Sequence, residues 1–335
     1  MTLSIIIVNW NSKDYVRRCI ESIRRSTDVP SCEVFVVDSA SYDGCGEMLA
    51  REFPAARFMQ CPENVGFARA NNMAFAQSTG DVVLFLNPDT EVAGTAIAAL
   101  WDAVTRAPDA GAVGARLLNT DGSVQTSCVQ CIPTIANQLF DAEIFRRAFP
   151  RLGCWGLDPL LAPGRAPVEV EAVSGACLMV SRAVFERVGR FSEDYFLYTE
   201  DLDLCYKFRR SGRRNYYAPG ATVVHHGGRS SARNDSIRAT VLMRESVHHF
   251  LRKVHGQGYA AGFRGLLGLS AAGRVAVLLA LLPWQRLRGH AAATRLSLRK
   301  WSAILQWTLG TAAARVAPAN GSNEGHSLCA ASPAN

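Results

Sequence analysis

Residues 34–44 read VFVVDSASYDG and residues 82–90 read VVLFLNPDT, and these two stretches give the strongest indication of the fold. Each begins with a short apolar run, and an acid, Asp38 or Asp89, lies at or just beyond the end of that run. A short apolar run bounded by turn residues is typical of a buried strand. The pattern therefore predicts two buried strands, each followed by a carboxylate.

The same alternation extends over the first 90 residues. Predicted strands cover residues 3–8, 34–37, 57–60 and 82–86, and predicted helices cover residues 13–25, 45–53 and 66–78. A β-α-β-α-β-α-β order implies a mostly parallel sheet with right-handed crossovers. In such a sheet ligands bind outside the carboxyl ends of the strands, where Asp38 and Asp89 fall. We expect an α/β fold with a ligand site at that edge.

The rest of the chain divides into the remainder of this domain and a C-terminal extension. Residues 120–167 are rich in Pro, Gly and aromatic residues without clear periodicity, which predicts loops and short helices over the site. Strands are predicted at residues 174–180 and 223–226, and helices at 181–188 and 199–211. We expect a catalytic-type domain at residues 1–245, a basic helical segment at 246–312 and a flexible tail at 313–335.

The net charge of +7 belongs to the C-terminal extension. Residues 1–245 hold 26 basic and 28 acidic residues, whereas the remainder holds 10 basic residues and one acid, Glu324. A basic segment joined to a nearly neutral domain favours an anionic surface as its partner.

The extension also contains an apolar run at residues 266–282. It is 17 residues long and includes Arg274, whereas a spanning helix needs about 20 apolar residues. Further along, apolar residues recur at helical spacing among basic ones: Leu298, Trp301, Ile304, Leu305 and Leu309 among Arg295, Arg299 and Lys300. We interpret the segment as helices lying on an anionic membrane. The alternative is a helix packed on the domain's own surface.

Both the N-terminus and the cysteines favour the cytoplasm. The first apolar stretch, residues 5–8, is too short for the core of a signal peptide. The ten cysteines are scattered, and the pair Cys128 and Cys131 has no second pair to complete a zinc site. Free thiols in a reducing compartment are expected.

Two acids at predicted strand ends are candidates for ligand binding. Asp38 can accept an N–H from a pyrimidine base or a hydroxyl from a ribose, although an Asp after a strand also serves as a helix N-cap. Asp89 can hold Mg²⁺ or Mn²⁺ together with diphosphate oxygens. Asn-Pro-Asp is also a common turn sequence, so the metal interpretation needs support from elsewhere.

That support comes from two later motifs. Residues 199–205, TEDLDLC, place Glu200, Asp201 and Asp203 at a helix start, where the helix dipole alone favours acids. The preceding aromatic residues would partly desolvate these acids, and a desolvated carboxylate makes a stronger base. His225 and His226 lie at the end of a predicted strand. A histidine beside a metal-binding acid is a natural ligand, whereas a lone histidine at a strand end is more often structural.

Seven motifs in order now resemble one family, the family 2 glycosyltransferases of GT-A fold, and within it the rhamnosyltransferase-like branch of bacterial cell-envelope enzymes. The motifs span residues 4–230 and read SIIIVNWN, VVDSASYDG, ENVGFARANN, LNPDT, SGACLMV, YTEDLDLC and HHGGRS. The resemblance implies a nucleotide diphosphate sugar as donor, a divalent cation, Mg²⁺ or Mn²⁺, and a glycan or polyprenyl-lipid-linked acceptor. It implies no nucleic-acid partner, and it places the enzyme in the cytoplasm, peripheral at the inner face of the cell membrane.

The resemblance implies a role for individual residues of this chain. Asp38 resembles the nucleobase-binding acid, and Asn9, Asn64, Gly66 and Asn71 join it in the donor site. Asp89 resembles the metal-binding acid of the donor site, His225 the late metal ligand, and Asp201 the general base. Glu200, Asp203 and His226 remain further candidates.

The sequence departs from the family at two places. Many relatives carry Asp-x-Asp where this chain has Asn87-Pro88-Asp89, which leaves one carboxylate for the metal. Relatives usually read Phe-Asp-Glu where this chain reads Phe191-Ser192-Glu193.

The expected activity is inverting transfer, in which Asp201 deprotonates the acceptor and no covalent nucleophile is required. A nucleotidyltransferase would need a Gly-rich basic loop after the first strand, and a nicotinamide-dependent oxidoreductase would need G-x-G-x-x-G, which the sequence lacks. A non-catalytic sugar-binding protein derived from the fold is the remaining alternative. Binding alone does not require a base, so the presence of Asp201 beside the other site residues favours the enzyme.

Overall fold

The computed structural model describes residues 1–139, 157–161, 164, 166–227, 236–287 and 291–311. Its strands are β1 (Leu3–Asn9), β2 (Cys32–Ser39), β3 (Arg57–Cys61), β4 (Val82–Leu86), β5 (Thr90–Val92), β6 (Ala110–Leu118), β7 (Val129–Gln130), β8 (Val168–Val170), β9 (Ala172–Val173), β10 (Cys177–Ser181) and β11 (Arg214–His225). Its helices are α1 (Lys13–Arg25), α2 (Cys45–Glu52), α3 (Phe67–Gln77), α4 (Ala96–Arg106), α5 (Ile135–Leu139), α6 (Asp158–Leu161), α7 (Arg182–Arg187), α8 (Glu200–Arg210), α9 (Ser236–His255), α10 (Gln257–Leu287) and α11 (Ala291–Thr308).

A nine-stranded mixed sheet forms the centre, in the order β3-β2-β1-β4-β10-β6-β11-β5, with β8 paired to β11. Strands β1 to β4 are parallel, as the alternation of strands and helices predicted, and β10 runs antiparallel between β4 and β6. Every residue of β1 and of β4 is buried, because helices cover both faces of this part of the sheet. The expected α/β architecture is confirmed.

An aromatic cluster lies in the core against β4. The ring of Phe185 stands 4.8 Å from that of Phe75 and 5.0 Å from that of Phe85, and Phe191 joins them at 4.9 Å from Phe85. These edge and tilted arrangements are the preferred geometries of aromatic pairs. The cluster fixes the chain just before the stretch that leads into α8.

Three stretches differ from the sequence predictions. Strand β10 begins at Cys177 rather than at residue 174, because the chain at Gly175 turns away to contact Asp201. Strand β11 begins at Arg214, nine residues before the predicted start at residue 223. Pro219 and Gly220 look like a strand end, but a register shift between Ala218 and Thr222 accommodates them inside the strand. Residues 91–118, for which no element was predicted, form most of β5 and all of α4 and β6.

Helices α9, α10 and α11 form a bundle with a core of its own. Its buried residues are Val247, Phe250, Leu251, Ala260, Phe263, Leu267, Ala271, Ile304 and Trp307. Tyr195 joins them from the part of the chain that forms the sheet, residues 1–227, which is the expected catalytic unit. Helix α9 runs from Ser236 to His255, so the expected boundary at residue 245 falls within a helix. The expected tail, residues 313–335, lies outside the described residues.

Helix α10 is much longer than the apolar run that predicted it. It extends over 31 residues and is long and apolar enough to cross a membrane by length and composition. Only 11% of the most apolar 18-residue stretch of this helix is buried, whereas the core helix of a soluble protein is mostly buried. Beyond Ala271 the helix contributes no buried residue, and its exposed apolar residues include Val277, Leu279, Leu281, Trp284 and Leu287.

Candidate active site

The ends of β1 and β2 bring Asn9 and Asp38 side by side. The two residues are register partners in the parallel pair, and both are buried. The Asn9 amide nitrogen Nδ2 lies 3.0 Å from Ser41 Oγ, 3.3 Å from Asp43 Oδ1 and 3.5 Å from Asp38 Oδ1. Asp38 Oδ1 accepts hydrogen bonds from the Ser41 amide, at 3.0 Å, and from the Ser41 hydroxyl. These bonds fix the turn after β2.

The alternative role of Asp38, a helix cap, belongs to another acid. Asp43 Oδ1 accepts from the amide of Cys45 at 3.1 Å, and its Oδ2 accepts from the amide of Lys13 at 2.8 Å. Asp43 therefore caps α1 and α2 together. Asp38 instead borders a cavity of about 710 Å³, whose wall also includes Tyr42, Glu47 and Gln60.

The loop between β3 and α3 holds the next group of expected donor-site residues. Asn64 Oδ1 accepts from Ser39 Oγ at 3.0 Å and from the Gly66 amide at 3.1 Å. Gly66 has φ +79, and a Cβ there would lie 2.4 Å from the carbonyl oxygen of Phe196, so no other residue fits. This loop therefore packs directly on the chain that leads into α8.

Asn71 presents an unused acceptor. Its Nδ2 donates to the Phe67 carbonyl at 2.9 Å, whereas its buried Oδ1 has no hydrogen-bond partner within the described ranges. A buried acceptor without a partner is costly, so Asn71 Oδ1 is suited to accept from a bound ligand. The neighbouring Asn72 serves structure: its amide bonds both to the backbone of Phe191 and to Glu193 Oε1.

Asp89 lies in a turn that brings it to the end of β11. Thr90 Oγ1 donates to the Asn87 carbonyl at 2.7 Å, which closes the turn, and the His226 amide donates to the Asp89 carbonyl at 2.9 Å. The His225 ring nitrogen Nε2 stands 3.3 Å from Asp89 Oδ1. The two residues that the sequence assigned to one metal are therefore neighbours in the structure.

The tautomer of His225 is determined by Gln125. The Gln125 amide nitrogen Nε2 donates to the His225 carbonyl at 2.7 Å and to Asn119 Oδ1 at 3.0 Å. Its Oε1 must then accept from Nδ1–H of His225, at 2.9 Å. In the neutral ring the lone pair of Nε2 consequently faces Asp89 Oδ1, and two acceptors at that distance need a proton or a cation between them.

This donor set fits a divalent cation. Two ligands bound at right angles at about 2.1 Å from a metal stand about 3 Å apart, close to the observed 3.3 Å. One carboxylate and one imidazole suit Mn²⁺, and Mg²⁺ also accepts carboxylate and phosphate oxygens. Within the described residues no three His, Cys, Asp or Glu residues are grouped to hold a metal. The remaining positions would belong to a diphosphate and water.

His226 points away from this pair. Its Nε2 bonds to Glu91 Oε1 at 2.8 Å, and its ring packs against Tyr15 with centroids 5.4 Å apart. The rings of these adjacent residues have different partners, so only the His225 ring lies beside the Asp89 carboxylate.

Asp201 sits in the first turn of α8 and is held by three hydrogen bonds. Its Oδ2 accepts from the Gly175 amide at 2.9 Å, its Oδ1 accepts from the Leu202 amide at 2.8 Å, and the side chain of Gln130 donates to the same carboxylate. Burial nevertheless raises the pKa of Asp201. Burial and then the charge of Asp201 raise the pKa of Glu200, whose Oε2 is buried without a partner among the described residues. The pair thus has the elevated proton affinity expected of a general base.

The chain entering α8 is strained. Tyr198 and Thr199 have φ 69 and φ 70, in the left-handed region that non-glycine residues rarely occupy. Consecutive strained residues persist only when their surroundings hold them, and they are common at active sites.

A single loop connects Asp201 to the Asp89 turn. Gly175 binds Asp201, and the carbonyl of the next residue, Ala176, accepts from the Asn87 amide at 2.9 Å. The base candidate and the metal-binding candidate are therefore held by the two ends of one short segment. Sequence reasoning missed the roles of Gly175, Gln125 and Gln130. Gly175 lies in the recognisable motif SGACLMV, but the two glutamines lie where no periodic pattern marks them.

Asp203 turns away from Asp201 toward α9. It accepts from the Ser192 hydroxyl at 2.5 Å and forms an ion pair with Lys253 at 3.3 Å. The structure thus brings Asp89 and His225 together and links Asp201 to Asn87 through Gly175 and Ala176, but it places Asp203 and His226 in other contacts.

The chain is similar to several known proteins. The sequence model of Glycosyl transferase family 2 matches residues 4–157. An N-acetylglucosaminyl-diphospho-decaprenol L-rhamnosyltransferase of Mycobacterium tuberculosis is 31% identical over 279 residues, covering 79% of this chain and 89% of that protein. The rhamnosyltransferase WbbL of Escherichia coli is 23% identical over 66% of this chain and 82% of its own length.

Solved structures show the same fold. The mannosyltransferase PcManGT from Pyrobaculum calidifontis, in complex with GDP-Man and Mn²⁺, matches with a TM-score of 0.55 and 20% identity over 92% of this chain and 86% of that chain. GalNAc-T7 with UDP, GalNAc and Mn²⁺ matches with a TM-score of 0.52 and 16% identity over 67% of this chain and 44% of that chain. These likenesses confirm the expected GT-A type of fold.

Proposed function

Because the chain belongs to glycosyl transferase family 2, we propose that it is an inverting transferase that moves a rhamnose-like sugar from a nucleotide diphosphate onto a lipid-linked glycan. Glycosyl transfer itself follows from the family and from relatives covering most of the chain. The sugar, the acceptor and the residues below are the proposal. The non-catalytic alternative is disfavoured because Asp201 has the environment of a base.

The donor site combines the carboxyl ends of β1, β2 and β4. Asp38 and Asn9 face the nucleoside, and Asn64, Gly66 and Asn71 form the wall beside it. Asp89 and His225 would hold a divalent cation, whose charge stabilises the departing nucleoside diphosphate. Both structural neighbours are solved with Mn²⁺ and a nucleotide or nucleotide sugar, which supports a divalent cation and a nucleotide-sugar donor here.

Asp201 supplies the proton acceptor. The acceptor hydroxyl attacks the anomeric carbon opposite the leaving oxygen, its proton passes to the Asp201 carboxylate, and the bond to the diphosphate breaks with the electron pair leaving on that oxygen. One displacement inverts the configuration at the anomeric carbon. The hydrogen bonds from Gly175 and Gln130 orient the carboxylate for this step.

The acceptor and the location are inferred from the relatives and from the helical bundle. The Mycobacterium tuberculosis relative is named for N-acetylglucosaminyl-diphospho-decaprenol and L-rhamnose, so an acceptor of that class is proposed for this chain. Packing in the core of the bundle accounts for the inner face of α10 only. Its outer face is apolar, and α10 and α11 carry exposed cations such as Arg286, Arg295 and Arg299. We therefore place the bundle on the anionic inner face of the membrane, with the catalytic unit in the cytoplasm.

The proposal rests chiefly on one observation. Two hydrogen-bond acceptors, His225 Nε2 and Asp89 Oδ1, face each other in a site that one short loop joins to Asp201. The test is a panel of dTDP-, UDP- and GDP-linked sugars, rhamnose among them, with Mn²⁺, Mg²⁺ or EDTA. Nucleoside diphosphate release is measured with and without N-acetylglucosaminyl-diphospho-polyprenol. We expect transfer to depend on the cation, and NMR of the product should show an inverted configuration at the anomeric carbon. Thermal stabilisation by a donor without turnover on any acceptor would instead identify a binding protein.

A further inference from the structure

A cluster of charged and polar groups joins helix α9 to the chain that leads into α8. This junction cluster consists of Ser192, Asp194, Tyr195 and Asp203 on the catalytic unit, with Lys207 beside them, and of His249 and Lys253 on α9. Lys253 Nζ lies 3.0 Å from Ser192 Oγ, 3.3 Å from Asp203 Oδ1 and 3.4 Å from Asp194 Oδ2. His249 Nε2 bonds to Asp194 Oδ2 at 2.9 Å.

Asp203 is the centre of the cluster. Its side chain is 2% exposed, and it accepts from Ser192 Oγ at 2.5 Å and from Tyr195 Oη at 3.4 Å. A buried carboxylate requires nearby positive charge, and Lys253 is closer than Lys207, which lies 3.9 Å away. Burial, and next the charge of Asp203, raise the pKa of Tyr195, so that residue stays a neutral donor. Lys253 is thus the main charge partner of a carboxylate two residues from Asp201.

The same helix holds the intervening loop at other points. Ser246 Oγ donates to the Leu197 carbonyl at 2.9 Å, and the ring of His249 meets that of Tyr195 edge-on at 5.0 Å. The loop continues through the strained residues Tyr198 and Thr199 into Glu200 and Asp201. On its other side α9 contributes Val247, Phe250 and Leu251 to the core with α10 and α11. Helix α9 therefore links the bundle to the catalytic loop.

We propose that Lys253 is a positioning residue of the transfer reaction: through Asp203 and Ser192 it holds the chain at residues 192–199, and with it the first turn of α8, where Asp201 must meet the acceptor. This inference rests on the proposed role of Asp201. The cluster also gives Ser192 a function, since its small hydroxyl bridges the lysine and the buried carboxylate. The C-terminal bundle is then part of the catalytic apparatus as well as the proposed membrane attachment.

The test uses the full chain with Lys253→Met, Lys253→Arg and a control, Arg210→Met, which removes an exposed cation from α8 itself. A small misplacement of a catalytic group lowers turnover strongly, so Lys253→Met should reduce kcat of transfer about tenfold while KM for the donor stays within about twofold. Lys253→Arg should restore most of kcat, because it keeps the charge, and Arg210→Met should match the wild type. Hydrogen exchange of amides 192–201 should increase in Lys253→Met and not in the control.

A double-mutant cycle with Ser192→Ala tests whether the two residues act as one unit. If both work through Asp203, the double variant should lose less than the product of the single losses. Ser192→Ala also serves alone if Lys253→Met fails to fold, since it removes only a hydroxyl and should likewise lower kcat and increase exchange.

The positioning role is wrong if Lys253→Met keeps wild-type kcat and wild-type exchange at residues 192–201. It is also wrong if the donor KM rises in step with the loss of kcat, which indicates general loosening of the fold. Exchange can be measured without turnover, so failure of the proposed function, seen as an inactive wild type, remains distinguishable from failure of this inference.

Discussion

The backbone amide of Gly175 donates a hydrogen bond to Oδ2 of Asp201 at 2.9 Å, and a Cβ at position 175 would lie 3.1 Å from the Cβ of Asp201. The glycine thus lies so close to the proposed base that a Cβ at position 175 would fit only if Asp201 shifted by a few tenths of an ångström. Because Ala176 binds Asn87, a shift at Gly175 would also reach the turn that carries Asp89.

Gly175→Ala should lower kcat about tenfold with a small loss of stability, because the neighbouring side chain must yield by a few tenths of an ångström. Steady-state kinetics and a thermal melt measure the two effects. Gly258→Ala is the matched control, since a Cβ there meets open space. Equal kinetics in the two variants would remove Gly175 from the positioning of Asp201.

Asp201→Asn should bind the donor nearly normally and lower turnover by about two orders of magnitude or more, the scale of losing a general base. Donor affinity is measured by calorimetry and turnover by product formation. Asp102→Asn, at an exposed position on α4, provides a control for the same chemical change. Near-normal turnover of Asp201→Asn would show that another group accepts the proton.

His225→Ala and Asp89→Ala should each raise the Mn²⁺ concentration for half-maximal activity by about tenfold or more, the scale of losing one ligand or its support. His226→Gln should leave it unchanged, because that ring bonds to Glu91. Titrations of activity with Mn²⁺, supported by electron paramagnetic resonance of bound Mn²⁺, make the comparison. An unchanged requirement in His225→Ala would assign the ligand position to water.

The pH dependence of kcat/KM should rise toward a plateau above the usual carboxyl range, because burial raises the pKa of Asp201 and the carboxylate is the active form. Gln130→Leu removes a hydrogen bond that lowers this pKa, so the rise should move to still higher pH. A profile that does not move would show that Gln130 does not influence the titrating group.

The same shifts have a consequence for stability. With folded pKa values raised, Glu200 and Asp201 bind more protons in the folded than in the unfolded state, so the free energy of unfolding falls as pH rises through that range. Glu200→Gln should reduce this fall, which urea titrations at several pH values would measure.

Binding to anionic vesicles should be lost at high salt, because peripheral attachment depends on screened charges. Changing Arg286, Arg295 and Arg299 to Gln should weaken it, whereas the same change at Arg18, Arg187 and Arg210 on the catalytic unit should not. All six side chains are exposed, so the two sets remove equal charge. Retention of the wild type on vesicles at high salt would indicate that α10 spans the bilayer.

Truncation before Ala260 would be a poorer test of the membrane interpretation. It removes Phe263 and Leu267, which pack in the second core with Phe250 and Tyr195. A truncated protein would therefore keep donor hydrolysis only if α9 kept its place without these partners. The surface substitutions avoid this dependence because none of them touches that core.

The parallel β1 to β4 unit could be predicted from the sequence alone, because short apolar runs ending in polar residues leave few alternatives. The same runs indicated candidate residues for the site, which stay predictions. It could not predict β6, whose residues Ala110–Leu118 include Gly111 and Gly114. Small residues have low strand propensity, and they are needed here because a Cβ on Gly114 would lie 2.5 Å from Val173. That close contact exists only in the folded sheet.

Which of two adjacent candidate residues enters the site depends on the tertiary structure. Sequence spacing placed Asp201 with Asp203 and His225 with His226, but neighbouring side chains on a helix or strand point in different directions. Asp201 thus bonds to Gly175, whereas Asp203 pairs with Lys253. Likewise His225 lies beside Asp89, whereas His226 pairs with Glu91. These partners lie between 26 and 136 residues away in sequence, so the pairing depends on how distant elements pack, which no local pattern encodes.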